Sequence, residues 1–247
     1  LDVMRIIDSG RLRILFQPIR DRRKNVVVGY EALVRGPEGS PLELPKKLFK
    51  AARKAGGRQE LEMACFRKAL SVYRSRLIGS GALLFVNFHP VVLSSCIDEI
   101  LFELDGCRKK TVIEITEASK IRCGRDVFRQ LKNGGVRVAL DDVGIGDRSL
   151  SSICDLESDY LKVDKGVVRG IVSGNGSADK YGLVLSFLVK FGKQSGARVI
   201  VEGIETLEQL RLTDKTGVEL VQGFYFDRPM PAEHWADSGN KLVVTKM

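Results

Sequence analysis

Apolar residues along this chain follow two alternating patterns. Short runs rich in Val, Ile, Leu and aromatic residues fall at 13–19 (RILFQPI), 26–34 (VVVGYEALV), 82–88 (ALLFVNF), 111–116 (TVIEIT), 136–142 (VRVALDD), 159–164 (DYLKVD), 198–203 (RVIVEG) and 220–226 (LVQGFYF). Their brevity and β-branched content predict eight strands. Between them, segments 44–55, 58–76, 90–104, 125–133, 179–195 and 206–214 place apolar residues at helical spacing with charges opposite. Gly56-Gly57, Gly134-Gly135, Gly196 and Gly217 stand where helix C-termini need a residue tolerant of positive φ. Thr206, three residues before Gln209, predicts an N-terminal capping box.

Eight strands in repeated βα order predict an α/β fold, a TIM-like (β/α)8 barrel. About six residues (DRRKNV) separate the first two runs. A parallel crossover takes a dozen or more, so the first strand pair is expected to be antiparallel. The Gly174–Ser177 stretch reads as a loop, because the βα rhythm continues on both sides. One domain is expected over 1–247, with the barrel at about 4–235 and a tail at 236–247.

Polar residues recur where the predicted strands end: Glu31, Asn87, Glu114, Asp141, Asp142, Lys162, Asp164, Glu202 and Gln222. In a βα barrel the carboxyl ends of the strands form the working face. Carboxylates there are costly to bury unless paired, hydrogen-bonded or bound to metal. Each residue alone has a plainer explanation. Glu31 or Glu114 could pair with a surface lysine, Asp141-Asp142 could open a turn, Asn87-Phe-His-Pro could cap a helix, and Lys162 could pair with Asp164. Their equivalent placement in consecutive βα units favours convergence on a single mouth. With only His89 and His234 available, a histidine-built zinc site is disfavoured. Oxygen donors select hard cations, Mg²⁺ or Mn²⁺, as one or two ions per site. Such ions acidify a bridging water and stabilise entering and leaving oxygens, while a lysine among carboxylates can hold that water or neutralise phosphate charge.

Composition narrows the remaining classes. A hydrophobic fraction of 44% supports a substantial core. Five cysteines without a C-x-x-C pair predict reduced thiols and a cytoplasmic setting, in this chain or in a longer protein that carries it. No apolar run is long enough to span a bilayer. The net charge of +9 is spread widely and lacks a nucleic-acid-binding signature, which disfavours polymeric nucleic acid. A small anionic substrate would still benefit from that field.

Ordered motifs extend the reading. FQPI (16–19) and YEALVR (30–35), then VNFHP (86–90), EITE (114–117), DDVGIGDRSL (141–150), DYLKVD (159–164), VEGIET (201–206) and QGFYFDRPMP (222–231), resemble the EAL domain, the bacterial cyclic-di-GMP phosphodiesterase module. The resemblance implies a barrel with an antiparallel first pair and hydrolysis of cyclic-di-GMP to the linear dinucleotide pGpG. It places Glu31, Asn87, Glu114 and Asp141 at the first metal, and Asp142 and Asp164 around the second. Lys162 matches the lysine that contacts the attacking water, with Glu202 beside it; Glu31 counts among the catalytic residues as well as the metal ligands. Gln17, Arg35 and Gln222 match substrate-side positions, Arg35 with a planar fork suited to phosphate. Glu117 and Glu205 match accessory glutamates, the first associated with positioning the loop after Asp142. That loop departs from the usual pattern of active members: Val143 replaces Phe, Ile145 replaces Thr, Asp147 replaces Tyr and Arg148 replaces Ser. The departures motivate an alternative, a receptor that binds the dinucleotide without cleaving it. The resemblance also implies a homodimer, and a start at Leu1 leaves room for an upstream sensor or signalling domain.

Overall fold

The computed structural model describes residues 2–115, 124–144, 153–154, 156–173 and 178–237. Its centre is a closed barrel with strands in chain order: β1 (Arg13–Asp21), β2 (Val26–Arg35), β3 (Leu83–Phe88), β4 (Thr111–Ile115), β5 (Arg137–Val143), β6 (Tyr160–Val163), β7 (Arg198–Val201) and β8 (Leu220–Val221). β1 runs antiparallel to both of its neighbours, β2 and β8, and every other adjacent pair is parallel. The short first connection is the reason. Asp21 Oδ1 accepts the backbone N–H groups of Arg23 and Lys24, and Asn25 takes a φ of 57°, which closes the turn directly onto β2.

Two apolar layers follow from strand alternation. Ile19, Phe85, Val112, Ala139, Tyr160, Ile200 and Leu220 point inward and plug the lumen. A much larger cluster lies between the outer strand faces and the surrounding helices. Gly29 belongs to the inner layer for a steric reason: a Cβ there would sit 2.4 Å from the Phe85 ring.

Several elements differ from the sequence expectation. The run 220–226 is strand only at Leu220–Val221. Gly223 lies so close to the Ile204 backbone that a Cβ would meet Ile204 O at 2.0 Å, and its own carbonyl accepts the N–H groups of Phe226 and Asp227. The chain therefore turns and pairs Met230 with Phe16 on the free upper half of β1. The helix Ala232–Asp237 follows, with Trp235 Nε1 donating to Phe16 O. The helix expected over 90–104 breaks at Cys96 into Pro90–Ser95 and Ile97–Glu103. The one expected over 58–76 is α-helical at Arg58–Val72 and then widens into a π-turn, Tyr73–Leu77. Among the described residues, the helices Val3–Asp8, Lys165–Val172 and Ala232–Asp237 escaped the sequence pattern. The second contains two glycines and four valines or isoleucines, all weak helix formers. Gly56, Gly135, Gly196 and Gly217 do adopt positive φ, whereas Gly57 and Gly134 do not.

Candidate functional site

The inner plug layer explains the layer above it. Moving two residues towards the carboxyl end of a parallel strand keeps the side chain on the same face. Phe85 is thus followed by Asn87, Val112 by Glu114, Ala139 by Asp141, Tyr160 by Lys162, Ile200 by Glu202 and Leu220 by Gln222, with Glu31 two residues beyond Gly29. On antiparallel β1 the order reverses, and Gln17, two residues before Ile19, faces Glu31 in register. Eight polar side chains therefore share the mouth because eight smaller or apolar ones share the floor.

Lys162, only 1% exposed, stands at the centre. Its Nζ lies 2.7 Å from Glu202 Oε1, 2.8 Å from Glu114 Oε1, 3.5 Å from Glu31 Oε2 and 3.6 Å from Asp141 Oδ1. Glu31 is held by amides on both sides: Asn87 Nδ2 donates to its Oε1 at 2.9 Å and Gln222 Nε2 to its Oε2 at 2.7 Å. Gln222 also donates to Gln17 Oε1, and Gln17 Nε2 donates to the Asp227 carbonyl. Exposure rises from Glu114 (0%) through Glu31 and Asp141 (11% each) to Glu202 (22%), with Asn87 at the open rim.

The carboxylates divide electrostatically. Burial pushes Glu31 upward, but the Lys162 ammonium and the hydrogen bonds from Gln222, Asn87 and Glu114 hold it below the usual carboxylate value. Glu114 is raised well above it by burial and by the Glu31 and Asp141 charges, against the pull of Lys162. Asp141 is raised by burial, against Lys162 and with Asp142 and Glu31 adding to the rise. Glu202 is pushed up to about 8, first by burial. Burial opposes the charge on Lys162, yet Asp141, Glu114, Glu202 and Glu31 together raise it well above an ordinary lysine. One ammonium cannot compensate four neighbouring carboxylates, so the mouth keeps protons that a divalent ion would displace.

The EAL-domain profile matches residues 2–229. The chain belongs to the EAL-domain family. Two Escherichia coli K12 relatives are each 27% identical: the probable cyclic di-GMP phosphodiesterase PdeN, aligned over 94% of this chain and 46% of its own length, and the oxygen sensor protein DosP, over 96% and 31%. The chain thus spans less than half of either relative's length. Among solved structures, the EAL domain protein of Listeria monocytogenes EGD-e superposes with a TM-score of 0.83 over 96% of both chains; at 23% identity this speaks for the fold. Klebsiella pneumoniae BlrP1, determined with manganese and cyclic-di-GMP, has a TM-score of 0.79 and 28% identity over 89% of this chain and 56% of that one.

The donor chemistry of this EAL domain fits a hard divalent cation. Glu114 Oε2 and Gln222 Oε1 are buried oxygens without a hydrogen-bond donor, and the surrounding groups are carboxylates and amides. Among the described residues, however, no three His, Cys, Asp or Glu side chains stand as a group able to hold a metal ion. The carboxylates are instead gathered around Lys162.

The remaining expected residues are placed less centrally. Asp141 and Asp142 straddle a bulge in β5, where the register with β6 shifts between Leu140 and Val143. Asp142 takes a φ of 55°, and its N–H donates to Asp141 Oδ1. Bulges of this kind re-aim side chains beside active sites. Asp164 does not pair with Lys162; its Oδ1 caps the helix Lys165–Val172 through the Gly166 N–H at 2.7 Å. Arg35 ends β2 at the mouth, opposite Arg13, and forms no ion pair among the described residues. Glu205 is exposed outside the cluster, 3.8 Å from Arg169, beside the capping box that Thr206 and Gln209 do form. Glu117, and positions 145–148 of the altered loop, lie outside the described residues.

The sequence pattern did not single out Arg58 and Glu62. They border a cavity of about 280 Å³ beside Asn87, walled by Phe49, Phe66 and Phe88. The one available signal was a charged residue between Leu61 and Met63, both buried, and that is too common to carry meaning.

Proposed function

We propose that this domain hydrolyses one phosphodiester bond of cyclic-di-GMP to linear pGpG, using Mg²⁺ or Mn²⁺ and an activated water. The observation that carries the reading is Lys162, buried at the mouth with four carboxylates within 3.6 Å. A barrel has no structural need for that concentration of charge, which burial makes costly. The names of the E. coli relatives and the ligands of BlrP1 support the same chemistry.

In this reading Glu31, Asn87, Glu114 and Asp141 would hold the first ion, and Asp142 and Asp164 would face the second. Bound there, the ions would supply positive charge to the phosphate and lower the pKa of water. Lys162 Nζ would hold the attacking water, and Glu202 Oε1, 2.7 Å away, would receive its proton. Gln222 and Asn87 fix both oxygens of Glu31. Gln17 and Arg35 would meet the substrate, Arg35 by its fork of donors on a phosphate. The cavity of about 280 Å³ beside Asn87, walled by Phe49, Phe66 and Phe88, would offer an apolar place for one base beside the mouth. Residues 1–247 would act as one catalytic domain, cytoplasmic, homodimeric, and part of a longer signalling protein. No helix among the described residues is long and apolar enough to cross a membrane.

A receptor that binds without cleaving is the second reading. It is favoured by the altered loop, in which Val143, Ile145, Asp147 and Arg148 replace the residues of the usual pattern. Incubation with cyclic-di-GMP and Mn²⁺, with products resolved by chromatography, separates the two. Hydrolysis predicts pGpG, with Glu31→Ala slowing its formation at least about 100-fold. Undiminished product from that variant would sink the catalytic assignment, and binding without product would favour the receptor.

A further inference from the structure

We propose that Glu62 is a positioning residue for Asn87, acting through the backbone of His89; this rests on the reading of Asn87 as a ligand of the first ion. Glu62 lies in the helix Arg58–Val72 and is 5% exposed, on the buried face that it shares with Phe66 and Ala69. A carboxylate in that position is costly unless its oxygens are used. Both are: Oε1 accepts from Arg58 Nε at 2.8 Å, and Oε2 accepts the backbone N–H of His89 at 2.9 Å.

That N–H belongs to the first residue after β3 ends at Phe88. From there the chain must turn into the helix Pro90–Ser95, which His89 itself caps by accepting the Val91 N–H on Nδ1. Asn87 stands just before the turn, at the open rim, and its Nδ2 reaches Glu31 at 2.9 Å. Apolar packing fixes the Phe88 side of the turn, where its ring lies 5.4 Å from that of Phe66, while Arg58, Glu62 and His89 border a cavity beside it. The Arg58–Glu62–His89 strap spans that gap. It sets where the end of β3 sits and hence where the Asn87 amide points. Partners of this kind behind a metal site are commonly worth 10–100-fold in affinity or activity.

Two variants and one binding measurement test the strap. Glu62→Ala removes both bonds. Glu62→Gln keeps an oxygen for the His89 N–H while giving up the charge. Mn²⁺ titration by calorimetry is the readout that does not depend on turnover, with circular dichroism melts to establish folding. The expected result is Mn²⁺ affinity reduced about 10-fold or more in Glu62→Ala, with kcat lowered alongside it, and Glu62→Gln within about threefold of the parent protein. If Glu62→Ala is folded and binds Mn²⁺ as the parent does, the proposal is overturned. A rise in KM alone overturns it too, because that would place Glu62 on the substrate. A parent protein that binds Mn²⁺ but releases no pGpG counts against the catalytic function, and the Mn²⁺ comparison still decides the strap. A parent protein that binds no Mn²⁺ removes both.

Discussion

Lys162 is the residue on which the mouth's electrostatics turn. Its four carboxylate neighbours lie at 2.7–3.6 Å, so removing the ammonium leaves buried acids without a cation. Lys162→Ala should lose turnover by at least about 100-fold. In EDTA it should also be about 3–5 kcal/mol less stable, the usual cost of breaking a buried charge pair. The sign of the pH dependence follows from the acids left behind. Their folded pKa values would stand above the unfolded ones, so stability is retained below the unfolded values and lost as pH rises through the folded ones. The deficit should therefore shrink on acidification, and also on adding Mn²⁺, which binds only the folded form. Urea melts at two pH values, with and without Mn²⁺, measure this. Equal stability of both proteins in EDTA at pH 8 would refute it. At this scale the sequence exposed the carboxylates themselves, since any acid at the end of an apolar run is conspicuous. It did not reveal that Lys162 would choose Glu31, Glu114, Asp141 and Glu202 over its neighbour Asp164. Residues two apart at a strand end diverge once one of them starts a helix.

At the scale of elements, Asp164 shows how one side chain can carry two readings. It caps the helix Lys165–Val172, a segment whose glycines and valines give it little helical tendency of its own. Asp164→Ala should cost about 1 kcal/mol through the lost cap, whereas Asp164→Asn keeps an oxygen for the Gly166 N–H and should cost only a few tenths. If Asp164 also serves the second ion, Asp164→Asn should still lose most of its activity, because the charge is gone. Paired denaturant and turnover measurements distinguish the roles; full activity in Asp164→Asn would leave the cap alone. This helix and the early end of β8 were the elements hardest to read. Val167, Val168 and Ile171 do share a helical face, but over eight residues rich in glycine and β-branched side chains that period cannot be told from a strand. Nor does the apolar run Phe224-Tyr225-Phe226 betray that Gly223 presses against Ile204 and forces a turn.

At the scale of the whole molecule, closure of the barrel concentrates at Asp21. Its Oδ1 ends the β1–β2 turn, and its Oδ2 takes Arg198 Nη2 at 2.8 Å, tying β1 to the start of β7 past the two-residue β8. Burial pushes this carboxyl up, but the Lys24 N–H, the Arg198 guanidinium and the Arg23 N–H outweigh it and hold it below the usual value. A lowered carboxylate pKa contributes stability above its unfolded value that is lost as pH falls through the folded one. Asp21→Asn should therefore be about 1–3 kcal/mol less stable at neutral pH and show a shallower loss on acidification. The two proteins should converge once the pH falls below the lowered folded-state value of Asp21. Thermal melts across that range check the slopes, and parallel curves for variant and parent would contradict the assignment.

Strand period and connection length are local properties, which is why the eight-stranded order, the antiparallel first pair, the positive-φ glycines at helix ends and the Thr206–Gln209 cap could be read from the chain alone. The oxygen-rich mouth was legible for the same reason, because alternation puts a residue two beyond each inner plug on the same face. Tertiary structure decided what the chain order cannot encode. It set which carboxylates share Lys162, which amides hold Glu31, and that a glutamate from the helix Arg58–Val72 reaches the backbone beyond Asn87. Those contacts join residues far apart in sequence, and their distances depend on barrel closure as a whole.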